Sequence, residues 1–139
     1  MKKTTIKLGE MYKEKKKVTE SNIDEFARFS GDYNSLHMND NNAFGKRVAH
    51  GIITVSYISK ILGTNFPGEG TVYLEQNSKF LKPILCGDEI IITITLSKII
   101  KKEKGIVRLD NSVTNQDNEV VIEGYSIVKI PIELQIEED

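Results

Sequence analysis

Apolar residues recur along this chain in two rhythms, and the change from one to the other falls near residue 70. Before it, the spacing is helical. Ile23, Phe26 and Ala27 fall on one helical face and predict a helix from Thr19 to Phe29. Thr19 is placed to cap it, Val18 and Ile23 to staple its entry, and Asp24 and Glu25 to meet its positive end. Gly31 stands where a left-handed residue closes a helix. Asp32–Ala49 is rich in Asn and Asp and reads as loop, with a short helix expected near Asn41–Lys46. A second helix is predicted over Gly51–Leu62, where Ile52, Ile53, Val55, Ile58, Ile61 and Leu62 leave Lys60 as the lone charge. A segment apolar nearly all round belongs in a core. Its β-branched residues have modest helix propensity, so packing must hold it. Gly63 is the expected stop, and Pro67, Gly68 and Gly70 mark a loop.

After residue 70 the period becomes that of strands. Thr71–Leu81, Glu89–Ile100, Ile106–Thr114 and Glu119–Ile130 are the predicted runs, separated by Pro83, Gly87-Asp88, Lys104-Gly105 and Gln116-Asp117-Asn118. Ile90, Ile92, Ile94 and Leu96 share one face; Ile91, Thr93 and Thr95 share the other, which is expected to be partly covered. Short connections imply an antiparallel meander. Its one strongly apolar companion is the Gly51–Leu62 helix. A twisted antiparallel sheet around one buried helix is the economical α+β arrangement. Open sheet edges then favour pairing with a second copy.

Size and composition narrow the classes. With 139 residues, one domain over 1–139 is expected, and 39% hydrophobic with 28% charged residues is an ordinary globular balance. A formal net charge of −1 gives no reason to expect nucleic acid or an anionic membrane as partner. The basic runs Lys13–Lys17 and Lys98–Lys104 read as solvated faces or turns, and Glu137-Glu138-Asp139 as a frayed tail. Cys86 is the lone cysteine, with no histidine near it in sequence, so neither a disulfide within the chain nor an evident thiol nucleophile follows. No apolar signal core follows Met1-Lys2-Lys3 and no stretch reaches membrane-span length, so a cytoplasmic location is expected.

Candidate chemistry concentrates between Phe26 and Gly51, which holds both histidines, His37 and His50. Asp32, Asn34 and His37 put a carboxylate, an amide and an imidazole close in sequence. Extended chain could still separate Asp32 from His37 by up to ~18 Å, and Asn34-Ser35 is the turn that could fold them together. An Asp–His pair on one water can take a proton from it and later deliver one. Spacing alone favours the plainer alternative, in which Asp32 caps a turn and His37 is a satisfied loop histidine. Metal binding by Asp32, His37 and His50 matches no standard zinc spacing. His50-Gly51 opens the buried helix, where backbone N–H groups lack partners and favour developing negative charge. Glycine allows a carbonyl to approach that backbone closely, an oxyanion-hole geometry. Tight helix entry alone would also explain it.

The run Ser30-Gly31-Asp32-x-Asn34-x-Leu36-His37, followed by Ala43 and by His50-Gly51 opening an apolar helix, resembles the motif of the MaoC-like (R)-specific enoyl-CoA hydratases. The likeness extends through Pro67-Gly68, Pro83, Gly87-Asp88-Glu89 and Lys129-Ile130-Pro131, across nearly the whole chain. Ser35 stands where the family usually has proline, and Phe29 where a smaller residue is common; neither is expected to do chemistry. The resemblance implies a hot-dog fold, an antiparallel sheet wrapping a long central helix, with homodimers or higher homo-oligomers. It implies reversible hydration of a trans-2-enoyl-CoA to an (R)-3-hydroxyacyl-CoA. Asp32 and His37 would activate water, the Gly51 N–H would bind the thioester oxygen, and Asn34 and Ser59 would support the pair. No metal or cofactor is implied, since the CoA thioester is itself the substrate. Leu62, Phe66 and Val72 would line the acyl pocket and favour short chains, and Lys79 and Lys82 could meet the CoA phosphates. The alternatives are a hot-dog acyl-CoA thioesterase, against which the Asp32–His37 loop argues, and a non-catalytic acyl-binding module.

Overall fold

The computed structural model describes residues 3–138. Its elements are β1 (Thr5–Lys7), β2 (Met11–Lys17), α1 (Glu20–Ser30), α2 (Ser35–Met38), α3 (Gly51–Thr64), β3 (Val72–Phe80), β4 (Glu89–Lys101), a 3₁₀ turn (Lys102–Lys104), β5 (Ile106–Thr114), β6 (Val120–Lys129) and β7 (Gln135–Glu137). One antiparallel five-stranded sheet has the order β2-β4-β5-β6-β3, and β1 and β7 form a separate parallel pair. The expected α+β architecture is present. On the inward row of β4, Ile90, Ile92, Ile94 and Leu96 are all fully buried. They join Ile53, Ile58, Ile61 and Leu62 of α3 in one core cluster. Burial of each such side chain contributes about 1.5–3 kcal/mol relative to exposure.

The first helix begins and ends where its capping residues require. Thr19 Oγ1 accepts from the Asn22 N–H at 3.1 Å, and Asn22 Oδ1 accepts from the Thr19 N–H at 3.0 Å, a reciprocal capping box. Gly31 closes the helix at φ 80° and donates to Ala27 O. Thr19→Ala is expected to cost about 0.5–2 kcal/mol, read as a lower denaturant midpoint with unchanged slope.

Several expectations are corrected. The short helix lies at Ser35–Met38, because Asn34 Oδ1 caps it through the Leu36 N–H at 3.0 Å; residues 41–46 are turns and bends. Gly63 does not stop α3, which runs on to Thr64 and closes at Asn65. Neither is α3 buried all round: Ile52 is 53% exposed, and Ser56, Ser59 and Lys60 also face outward. Of the two readings of the first lysine run, the solvated face holds and the turn does not, since Lys13, Lys15 and Lys17 are exposed on a strand. Met11–Lys17 is an edge strand paired with β4, with Lys15 paired to Glu89 at 2.8 Å and Glu14 to Lys60 of α3 at 2.8 Å. The meander holds for β4, β5 and β6 only, since β3 pairs with β6 at the far edge. At the C-terminal end, Gln135–Glu137 is held against Thr5–Lys7, and Asp139 lies outside the described residues.

Candidate active site

Hydrogen bonds draw the loop between α1 and α3 over the first turn of α3. Ser30 Oγ donates to Phe26 O at 2.7 Å and accepts from the Asp32 N–H at 3.1 Å. The Asn34 N–H donates to Asp32 Oδ1 at 3.2 Å. Asn34 thus orients the Asp32 carboxylate with its backbone and starts α2 with its side chain. Residues 47–49 are threaded between α2 and the 84–86 segment: the Val48 N–H donates to Leu36 O at 3.0 Å, and the Ala49 and Cys86 N–H groups donate to Ile84 O and Arg47 O at 2.7 and 2.8 Å.

Two carbonyls set the imidazole tautomers. A carbonyl has no proton to give, so the 2.6 Å contact between His37 Nδ1 and Val48 O places the hydrogen on Nδ1. In the neutral imidazole His37 Nε2 then carries the lone pair, 3.8 Å from Asp32 Oδ2. That gap exceeds a direct hydrogen bond but suits one water donating to both. By the same reasoning, His50 Nε2–H donates to Asp32 O at 2.9 Å. The His50 ring stacks on His37, with centroids 3.8 Å apart and planes at 25°.

Asp32, His37 and His50 offer donor atoms within 4.8 Å of one another. One nitrogen of each imidazole is already committed to a carbonyl. His37 Nε2, the half-exposed Asp32 carboxylate and the buried, unpartnered His50 Nδ1 then remain as donors.

Gly51 is the first residue of α3, and His50 gives that helix no side-chain cap. Among the described residues, nothing accepts the Gly51 N–H. His37 and Gly51 share a cavity of about 340 Å³ whose walls include Val48, Ile52, Phe80, Ile84 and Ile122, with Lys82 among its lining. A base and a free helix-terminal N–H therefore face one largely apolar hollow. A larger hollow, about 560 Å³, lies between the Lys102–Gly105 turn and residues 129–136, and holds neither group.

The remaining candidate residues fall elsewhere or in altered roles. Leu62 and Phe66 are buried in the core, and Phe66 stacks with Tyr12 at 6.4 Å; neither lines the cavity. Leu62 faces the sheet because the inward side of α3, not its outward side, carries that row. Leu62→Ala is therefore expected to cost about 2–5 kcal/mol and to leave any chain-length ranking unchanged, as denaturation and kcat/KM across acyl lengths will show. Val72 is half-exposed at the start of β3, away from the cavity walls. Lys79 lines a different hollow with Arg108, Glu123 and Tyr125, because alternation along β3 turns it from the face that carries Phe80. Lys82 does reach the cavity, though its ammonium is paired with Glu119. Ser59 is exposed and, among the described residues, makes no hydrogen bond to Asp32. Burial pushes the Cys86 thiol up, away from thiolate.

Arg47 was missed by the sequence reasoning. Its Nε donates to His37 O at 2.6 Å, and its guanidinium meets Asp24 at 2.6 Å and Glu20 at 3.1 Å. Burial alone would push this group down; the two carboxylates outweigh it and hold it above its ordinary value. Arg47 thereby ties the catalytic-loop candidate to α1.

The chain is similar to known proteins over most of its length. The family model described as "MaoC like domain" matches residues 3–117. An (R)-specific enoyl-CoA hydratase from Rhodospirillum rubrum is 36% identical over 131 residues, 91% of this chain and 89% of that protein. A 3-hydroxybutyryl-CoA dehydratase from Methylorubrum extorquens is 36% identical over 84% of this chain and 76% of its own length. The solved structure of an (R)-hydratase from Aeromonas caviae superposes with a TM-score of 0.86 at 28% identity, covering 91% of this chain and 98% of that one. The antiparallel sheet packed on one long helix is thus the hot-dog fold, and the chain belongs to the MaoC-like family.

Proposed function

We propose that residues 1–139 form one (R)-specific enoyl-CoA hydratase domain, which hydrates a trans-2-enoyl-CoA reversibly to the (R)-3-hydroxyacyl-CoA. The observation that carries this reading is His37 Nε2 facing Asp32 Oδ2 across 3.8 Å, with Nδ1 held by the Val48 carbonyl, beside a cavity onto which Gly51 also opens. A water held over that gap gives one hydrogen to each partner. Its oxygen adds to C3 as His37 and Asp32 draw off a proton, and the same pair returns one proton to C2, so that H and OH are added across one face. Electron density moves meanwhile onto the thioester oxygen. The Gly51 N–H and the positive end of α3 stabilise that enolate charge. The thioester already activates C3 and acidifies C2, and these residues supply the acid, the base and the oxyanion partner. This is what the named activities of the relatives require.

A cavity of about 340 Å³ lined by Phe80, Ile84 and Ile122 suits a short acyl chain, in keeping with the relative named for a 3-hydroxybutyryl thioester. Lys82 is the candidate for the CoA phosphates, by exchanging Glu119 for phosphate. A homodimer is part of the proposal. The edge strand β3 leaves Val72, Leu74 and Phe80 half-exposed, and edges of that kind are normally covered.

Crotonyl-CoA tests the reading. Loss of the conjugated absorbance without release of free thiol supports a hydratase. Thiol release would mean a thioesterase using the same helix terminus, and neither change would mean a binding module.

A further inference from the structure

We propose that His50 is a positioning residue for the hydratase reading above: its Nε2–H holds the Asp32 backbone, and with it the general-base carboxylate, over the start of α3. The ring is 3% exposed. It lies between Phe26, whose centroid is 4.8 Å away, and His37, at 3.8 Å. In packing terms this is a site for a plain aromatic ring. His50 Nδ1 is buried there without any partner, a cost a phenylalanine would not carry. What the imidazole has and a phenyl ring lacks is the hydrogen bond from Nε2 to Asp32 O at 2.9 Å.

That bond spans the two halves of the site. His50 directly precedes Gly51, the candidate oxyanion donor, and serves as the N-cap residue of α3. Asp32 is otherwise held only from its own side of the loop, by Ser30 and Asn34. Through His50, the carboxylate that holds the water is fixed to the backbone that holds the thioester oxygen. Stacking against His37 adds the third member of the site to the same contact. A reaction adding oxygen at C3 and charge at the carbonyl depends on the spacing between these two groups, and misplacement by about 1 Å can cost on the order of a hundredfold in rate.

The test uses His50→Phe and His50→Gln in the full chain. His50→Phe keeps the ring and removes both nitrogens, so its melting temperature is expected to match or exceed wild type while kcat falls roughly ten- to a hundredfold. KM should stay within about twofold, because the cavity walls are untouched. His50→Gln restores a side-chain N–H at similar reach and should recover most of the lost kcat. Wild-type kcat in His50→Phe would overturn the proposal. So would a parallel fall of kcat and melting temperature in both variants, the mark of a packing role alone. A second readout does not depend on turnover. The chain has two histidines, so a two-bond ¹H–¹⁵N spectrum of the imidazoles contains two ring systems. One ring protonated at Nδ1 and the other at Nε2 supports the assignment. An Nδ1–H tautomer or a doubly protonated ring at His50 overturns it. An inactive wild-type protein would count against the hydratase reading, and the imidazole spectrum would still decide the role of His50.

Discussion

Asp32→Asn and His37→Gln are each expected to lower crotonyl-CoA hydration by ~10²–10⁴-fold, the usual cost of removing a positioned acid–base group, with little change in melting temperature. Asp32 has half of its side chain in solvent, so no buried partner is orphaned when its charge goes. His37 makes one strong bond, from Nδ1–H to Val48 O, and a glutamine amide can donate to the same carbonyl. What neither substitution preserves is a pair of acceptors facing one water. The carboxamide at 32 would turn an N–H or a neutral oxygen to that water, and glutamine at 37 has no basic nitrogen. Because both groups act on one molecule, the double variant should lose little more than the worse single one. Multiplied losses would mean that they act on separate steps. A folded His37→Gln protein with near-normal turnover would remove the pair from the mechanism.

The second large effect is expected at Gly51. A Cβ there would sit 2.5 Å from Phe80 Cε1 and 2.6 Å from Cδ1. Phe80 is 51% exposed at the sheet edge, so its ring can swing aside, and alanine gains up to about 1 kcal/mol of helix propensity over glycine. Stability of Gly51→Ala should therefore stay near wild type. Activity should not, because the new methyl stands at the approach to the unpartnered N–H and pushes a wall of the cavity. Loss of an oxyanion donor is worth about 10²–10³ in kcat. Combining it with Phe80→Ala separates the two causes. Turnover restored in the double variant would assign the loss to the displaced ring, and turnover still low would assign it to the shielded N–H. Wild-type activity in Gly51→Ala would dismiss Gly51 as the donor.

What could be read from the sequence follows the strength of the local signal. Ile90, Ile92, Ile94 and Leu96 declared their strand and its inward face because every second residue was apolar, and all four are buried. Thr19 and Gly31 marked α1 because capping is chemistry of single residues. Met11–Lys17 hid its strand: an edge strand whose outward residues are lysines has no apolar alternation, and such charge is what keeps an edge from pairing wrongly. The place of β3 beside β6 was not legible either, since short loops suggest sequential neighbours while pairing is decided by the whole sheet. At the site, motif resemblance brought Asp32, Asn34, His37 and Gly51 forward, and the fold brings the first three and the start of α3 together. Their approach depends on the Asn34 cap and the Val48 carbonyl, which spacing does not reveal. Leu62 and Phe66, expected at the acyl pocket, are buried and do not line the hollow shared by His37 and Gly51, because helical periodicity gives a face but not what that face meets. Arg47 left no pattern at all.

The position of β3 also bears on the order in which the molecule can be built. β4, β5 and β6 are joined by short turns and can zip as hairpins as soon as each is made. β3 precedes all of them in the chain, yet Val72 pairs with Lys129 and Phe80 with Ile122. On a ribosome this strand emerges early and then waits, unpaired, until the last long strand of the sheet has left the tunnel. Closing so long a loop makes its docking a late event. The cavity wall carried by Phe80 would thus be among the last parts completed, and the nascent chain would spend that interval with an unpaired strand open to chaperones and to other copies of itself.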